Sequence, residues 1–355
     1  MTHLELFAGI GGFRQAIEKV CHDFGVPSKC IGFSEIDSKA HRTYCVNYNT
    51  EDEVDMGDIV AFTSNKANIM NLPYFDLLTG GFPCQTFSMM GEQAGFKEER
   101  GQMFFRIMDI IKVKHPRYIL LENVKNLINH DKGNTISRIL SELNKANYTA
   151  HLDIFNTHDF GLPQTRNRTL IFARKKDEGD FVFTKDVVKR AFVGIDKTKC
   201  LLNFYSSTID ILEPVVDEKY YLSSKIKPTI LADGSAGFKS SSDIDMVIAR
   251  PLTASMHKMH RACQDNYFSD LFIKSHGVKR PSTWMSKDEL AMIPIRKLTP
   301  EEAFMLQGFP AYFATNSRNN GVPNGSLYKQ AGNAVSVNTI YAVLYYLISN
   351  KIIEL

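Results

Sequence analysis

Over residues 1 to about 175, short apolar runs alternate with stretches whose apolar positions return at helical spacing. Apolar runs of strand length read as parallel strands buried on both faces, and the stretches between them as helices covering a sheet. The pattern predicts strands over 4–7, 30–34, 76–79, 118–122, 151–156 and 169–173, and helices over 13–23, 38–48, 104–114 and 135–146. From 175 to about 297 that rhythm is lost: Ser/Asp/Gly-rich turns, short β-like runs and isolated prolines predict a smaller, β-rich domain with many loops. Helical spacing returns over 300–307, and an apolar helix over 335–348 closes the chain. The expected fold is α/β, a Rossmann-like, doubly wound, mostly parallel sheet, with residues 1–178 as its main domain. A second domain is expected over 179–322, and a segment over 323–355 that returns to the first.

The candidate chemistry gathers where predicted strands end, the edge at which open α/β sheets bind ligands. Asp76-Leu77-Leu78 closes a buried strand, and Gly80-Gly81-Phe82-Pro83 breaks it immediately before Cys84. A thiol at such a turn is exposed for nucleophilic work, whereas most cysteines are inert core residues. The first strand runs into Phe7-Ala8-Gly9-Ile10-Gly11-Gly12, a glycine-rich turn before a helix. Its spacing is neither that of a dinucleotide fingerprint nor that of a phosphate-cradling loop. Glu35 ends the second strand, where a carboxylate holds ribose hydroxyls, and Asp58 follows in Gly57-Asp58-Ile59, placed to accept from an adenine amino group beside an apolar wall. Each carboxylate alone reads equally well as a helix cap; in this order, together with the turn, they favour an adenosine ligand. Glu122 emerges from the apolar Leu120-Leu121, where burial is expected to raise a carboxyl pKa, with an ion pair as the plain alternative. Gln164, Arg166 and Arg168 lead into Thr169-Leu170-Ile171-Phe172 and are expected on one strand face, where two guanidiniums require anionic or carbonyl partners.

Composition narrows the class without choosing a function. The 355 residues are 44% hydrophobic and 23% charged, an ordinary globular balance, with a net charge of only +3. No apolar run approaches the roughly 20 residues that span a bilayer. Met1-Thr2-His3-Leu4-Glu5-Leu6 enters a strand directly, without the basic region of a secretory signal, so a soluble cytoplasmic protein is expected. Six cysteines lack CxxC spacing, which argues against a disulfide framework and against a metal site. Charge is uneven: from Arg250 to Lys297 there are nine Lys/Arg against four Asp/Glu, with His257, His260 and His276 interleaved. That stretch suits phosphate contact.

Taken in order, Phe7 to Gly12, Gly80 to Ser88, Glu122-Asn123-Val124, Gln164 to Arg168, Arg296 to Pro310 and Gln330 to Val337 resemble the DNA (cytosine-5) methyltransferase family. The resemblance implies transfer of a methyl group from S-adenosyl-L-methionine to cytosine C5 in double-stranded DNA, in a restriction–modification setting. It implies Cys84 as nucleophile, Glu122 in ring activation, Arg168 on the cytosine carbonyl and Arg166 bracing the cysteine loop. For the cofactor it implies Phe7 near the adenine, Gly9, Gly11, Gly12 and Gly81 in close backbone approach, Glu35 on the ribose, and Asp58 with Ile59 at the adenine. Asn333 and Ala334 would meet its methionine end. Ile36 stands where the family carries a tryptophan. A mobile loop over 88–101, hinged at Gly91, Gly95 and Gly101, is expected to close on a flipped base, with Ser88 and Gln93 touching DNA. The second domain would read sequence, with Lys258, Arg261, Lys274, Lys279 and Arg280 facing DNA. A monomer is expected, alongside a restriction endonuclease that acts on the same site without forming a complex. The alternatives are a tRNA cytosine-5 methyltransferase of the same fold and a catalytically inactive DNA-binding regulator. The first usually shows Pro-Pro-Cys where Phe82-Pro83-Cys84 stands here. A cysteine amidase fails for want of a recognisable histidine base.

Overall fold

The computed structural model describes residues 1–83, 103–234, 237 and 240–355. Expectations resting on Cys84, Ser88, Gln93 and the 88–101 loop therefore lie outside the described residues. The chain divides into two compact units, Met1–Asn156 with Asn167–Leu202 and Val337–Leu355, and Thr157–Arg166 with Asn203–Ser336.

The first unit runs β1 (Thr2–Leu6), α1 (Gly12–Asp23), β2 (Lys29–Ser34), α2 (Ser38–Asn47), β3 (Val54–Asp55), α3 (Ile59–Ser64), α4 (Lys66–Asn71), β4 (Leu77–Gly81), α5 (Met103–Lys114), β5 (Tyr118–Val124), α6 (Asn134–Lys145), β6 (Tyr148–Asn156), β7 (Asn167–Lys175) and α7 (Lys185–Val193). The sheet order is β3-β2-β1-β4-β5-β7-β6. β7 is antiparallel to both β5 and β6, and the other pairings are parallel. Leu4 and Leu6 of β1 join Leu78, Ile119, Leu121 and Ile171 in the core on one face of the sheet, under α3 to α6. The last helix of the chain, Val337–Ser349, packs against α1 and α7, so the chain's end returns to its beginning. Tyr341 Oη donates to Asp23 at 2.7 Å in that contact. The return falls at Val337 rather than at 323, and residues 179–202 stay with the sheet because α7 packs on β6 and on this last helix.

The second unit contains α8 (Lys227–Leu231), β8 (Tyr267–Ser269), α9 (Asp270–Lys274), α10 (Lys287–Met292), β9 (Ile295–Lys297), α11 (Pro300–Met305), α12 (Tyr312–Asn319) and α13 (Asn324–Asn333); Val337–Ser349 is then α14. It differs from the β-rich expectation: among the described residues its strands are one antiparallel pair, β8 with β9. Outside that pair, side chains take up some of the backbone: Asp233 accepts from Ser242 N at 2.6 Å and Asn266 Oδ1 from Arg250 N at 2.8 Å. Asp245 accepts from Ser269 N at 2.7 Å and Ser269 Oγ at 2.9 Å at the end of β8. At the centre of this unit Arg296 and Glu302, 1% and 0% exposed, pair at 2.7 Å. Glu302 also closes a capping box with Thr299. A buried pair this well satisfied fixes the approach to α11.

The segment Thr157–Arg166, between two neighbouring strands of the sheet, belongs to the second unit. Thr165 N donates to Ala249 O at 2.9 Å, and Ala249 N to Pro163 O at 2.7 Å. These bonds draw 163–165 away from the sheet, so β7 starts only at Asn167. Gln164, Arg166 and Arg168 therefore do not share a strand face, contrary to the alternation read from the sequence.

Candidate active site and cofactor site

β1 delivers the chain into a turn that few side chains tolerate. Phe7, Gly9 and Gly11 have φ of 53°, 58° and 81°. A Cβ on Gly11 would stand 2.3 Å from Tyr48 Cε2, so that glycine is required by space as well as by conformation. Gly11 N donates to Ala8 O at 2.8 Å, and Ala8 N donates to Ser34 O at 2.8 Å, which ties the turn to the end of β2. Gly12 opens α1.

Glu35 follows β2 directly. One carboxylate oxygen accepts from Gly9 N at 2.8 Å, the other from Asp37 N at 2.7 Å, and burial pushes its pKa up. Beside it Ile36 is 75% exposed, an unusual state for a large aliphatic side chain and the one expected where an apolar ligand face is to be covered. Asp58 caps α3 through Oδ1, which accepts from Val60 N at 2.9 Å. The cap is the plainer of its two sequence readings, and Oδ2 has no partner among the described residues. Ile59 is 3% exposed and lies in the core, so its side chain is not the apolar wall expected beside Asp58. The glycine turn, a carboxylate at the next strand end and an uncovered aliphatic together fit an adenosine-bearing ligand such as S-adenosylmethionine.

Two strands along, Gly81 of β4 pairs in register with Glu122 of β5. Glu122 Oε1 meets Arg168 Nε at 2.8 Å, the side chains being 12% and 22% exposed. Glu122 sits opposite Leu170 in β7, so Arg168 is its diagonal neighbour on the same face. The ion pair, the alternative kept open above, is what the geometry contains. Asn123, 2% exposed, donates from Nδ2 to Phe82 O at 2.7 Å and accepts Val124 N on Oδ1 at 2.9 Å. It anchors the chain one residue before Pro83, the last described position ahead of Cys84. The sequence carried that signal, an asparagine inside an apolar strand, but gave it no role. Cys21 and Cys30 are buried, and burial pushes their thiols up to about 11 and about 12, so neither is poised as a nucleophile.

Arg166 belongs to the second unit. Its guanidinium, 1% exposed, donates to Leu252 O at 2.9 Å, Gly332 O at 3.0 Å and Ala334 O at 2.8 Å. Asn333 and Ala334 thus end α13 on a segment fastened by Arg166. Gly332 is packed so closely that a Cβ would come 2.2 Å from the Thr253 carbonyl carbon. Among the basic residues expected to face DNA, Lys258 and Lys279 are exposed and Arg261 half-buried. Lys274 pairs with Asp270 at 2.8 Å, and Arg280 Nε donates to Asp245 O at 3.1 Å, so these two also have work inside the unit.

A mostly parallel seven-stranded sheet in this order, with a glycine-rich turn after β1 and a carboxylate after β2, is a methyltransferase fold. The sequence profile of C-5 cytosine-specific DNA methylases matches residues 1–349, and the chain belongs to that family. It is 36% identical over 354 residues to the type II methyltransferase M1.ScrFI of Lactococcus lactis subsp. cremoris, covering 96% of this chain and 76% of that one. It is 33% identical over 347 residues to M.NlaX of Neisseria lactamica, covering 96% and 94%. Among solved structures, the Entamoeba histolytica methyltransferase EhMeth superposes with a TM-score of 0.74 at 20% identity, over 100% of this chain and 99% of that one. S. pombe Dnmt2 gives 0.73 at 18%, over 99% of each. At those identities the structural likeness speaks for the fold alone. The protein is a DNA (cytosine-5) methyltransferase dependent on S-adenosylmethionine.

Proposed function

We propose that this enzyme methylates C5 of one cytosine within a specific double-stranded DNA sequence, by covalent catalysis from Cys84 on a base turned out of the helix. The observation that carries the reading is the Glu122–Arg168 pair at 2.8 Å, its glutamate on the strand that pairs with the one leading to Cys84. Cytosine C5 is a poor nucleophile until a group adds to C6. The Cys84 thiolate makes that C6–S bond, and the electron pair displaced into the ring is taken up at N3 together with a proton carried by Glu122, which is given back when the thiolate leaves. Arg168 orients Glu122 and presents its remaining donors to the cytosine carbonyl. S-adenosylmethionine supplies an electrophilic methyl group for C5. A base then removes the C5 proton, and the electrons of that bond expel the thiolate.

Glu35 is assigned to the ribose, Asp58 to the adenine amino group through Oδ2, Phe7 and Ile36 to the adenine faces, and Asn333 with Ala334 to the methionine end. The second unit, through the Lys/Arg-rich stretch over 250–297, is assigned to sequence choice, with Lys258, Arg261 and Lys279 facing DNA. The type II names of the relatives support a restriction–modification setting in a bacterial cytosol; the enzyme is assigned as a monomer that protects sites a cognate restriction endonuclease cuts. Site-specific DNA containing 5-fluorocytosine is the test, because fluorine cannot leave as the C5 proton does. Wild type with cofactor should form an adduct stable on a denaturing gel, and Cys84→Ser should form none. Methylation by Cys84→Ser at a rate near wild type would refute the covalent assignment.

A further inference from the structure

The glycine-rich turn is gripped by both ends of one helix, and the grip on its rear side belongs to none of the residues assigned so far. At the start of α2, Glu35 takes the Gly9 N–H at 2.8 Å and Asp37 caps the helix through Lys39 N at 3.0 Å and Ala40 N at 3.3 Å. At its end, Tyr48 Oη donates to Gly11 O at 2.7 Å, its ring lying in the space a Gly11 side chain would need.

Tyr48 is held in turn. The Arg14 guanidinium lies 4.4 Å from its ring centroid and 5.4 Å from that of Tyr44. Arg14, 6% exposed, has every edge engaged: Nε to Glu18 at 2.8 Å, Nη1 to Tyr44 Oη at 3.2 Å and to Glu53 at 2.9 Å, Nη2 to Asn49 O at 3.1 Å. Tyr44 passes the connection on to Glu5 of β1 at 3.1 Å. β1, α1, α2 and the Asn49–Glu53 loop thus meet in one buried polar knot behind the turn.

We infer that Tyr48, held by Arg14, is a positioning residue for cofactor binding, fixing the Gly11 peptide so that the ligand side of the turn keeps its shape. The inference rests on the assignment of this turn to S-adenosylmethionine. Neither residue need touch the cofactor. Their effect falls on its affinity rather than on the chemical step, because preorganised backbone lowers the ordering cost of binding.

Calorimetric titration with S-adenosylhomocysteine reads this without turnover. Tyr48→Phe keeps the ring under Arg14 and removes one hydrogen bond, so its Kd should rise about fivefold, the worth of one such bond. Tyr48→Leu removes ring and bond and should weaken binding further, by about 20-fold. In Tyr48→Phe the KM for S-adenosylmethionine should rise in parallel, while kcat at saturation stays within about twofold and the thermal midpoint moves by less than about 2 °C. Wild-type affinity in Tyr48→Phe, or a lower kcat with unchanged KM, would overturn the inference. Failure of the wild type itself to bind S-adenosylhomocysteine would instead overturn the cofactor assignment beneath it.

Discussion

Replacing Arg166 tests the claim that this residue holds the second unit together. The Arg166→Met variant keeps an unbranched apolar stem of similar reach and removes all five donors. It strands the carbonyls of Leu252, Gly332 and Ala334, which now accept at 2.9, 3.0 and 2.8 Å. A buried acceptor left unpaired costs about 1–3 kcal/mol, and three sharing one site do not add fully, so a loss of about 4 kcal/mol is expected. Arg166→Lys places one compact ammonium where a planar fork spans three acceptors, and should recover about half of that. The single tryptophan, Trp284, lies in the second unit and is 56% exposed, so its emission in a urea titration reports on this unit. The unfolding midpoint should fall in the order wild type, Lys, Met. A midpoint for Arg166→Met equivalent to a loss below about 1 kcal/mol would show that these carbonyls are satisfied some other way.

Glu5 is buried, and burial raises its pKa from 4.5 to about 8. A raised folded-state pKa means stability that is full below pH 4.5 and is lost as pH climbs towards 8. Between pH 5.5 and 8 that loss is about 3 kcal/mol at 1.36 kcal/mol per unit; Glu5→Gln should flatten it, and an unchanged pH slope in urea unfolding would refute the account. Glu122→Gln should slow single-turnover methylation by about 10²–10⁴ while DNA affinity changes less, and a rate within about threefold of wild type would leave Glu122 a purely structural partner of Arg168. Lys258→Ala and Lys279→Ala should each lower the slope of log affinity against log salt by about one unit on every DNA, and wild-type slopes in both would put these lysines off the DNA.

The sheet was legible because its central strands are apolar on both faces, and every predicted strand overlaps an observed one. β1 was legible only in outline. His3 and Glu5 alternate with Leu4 and Leu6 as in a half-exposed strand, yet both are 0% exposed. The partners that give Glu5 a polar interior, Tyr44 and Arg14, sit on two different helices, and nothing in local spacing announces that. The break before Asn167 was illegible for a related reason, because the bonds that cause it run to Ala249. The second unit's helix over 300–305 falls within the predicted 300–307, and Thr299 with Glu302 forms its capping box. Ser286 with Glu289 has the same spacing and caps a helix over 287–292 that the apolar pattern alone does not show. Of the candidate site, Glu35 directly follows a strand as its position in the sequence implies, whereas Glu122 lies inside β5 and Asp58 caps α3, and the contact at Tyr48 has no local signal.

The displacement of residues 157–166 into the second unit sets the terms on which that unit can be exchanged between such enzymes. A graft cut at 203 and 336 would look complete in sequence and would arrive without Arg166, or Gln164 and its bridge to Ala249. Gln164 spans Leu306 O at 2.8 Å and the Leu252 N–H at 2.9 Å, so the transplanted core would lose internal bonds as well as the guanidinium. A working chimera must therefore carry two pieces of chain, a short one threaded between β6 and β7 and a long one after 202, changed together.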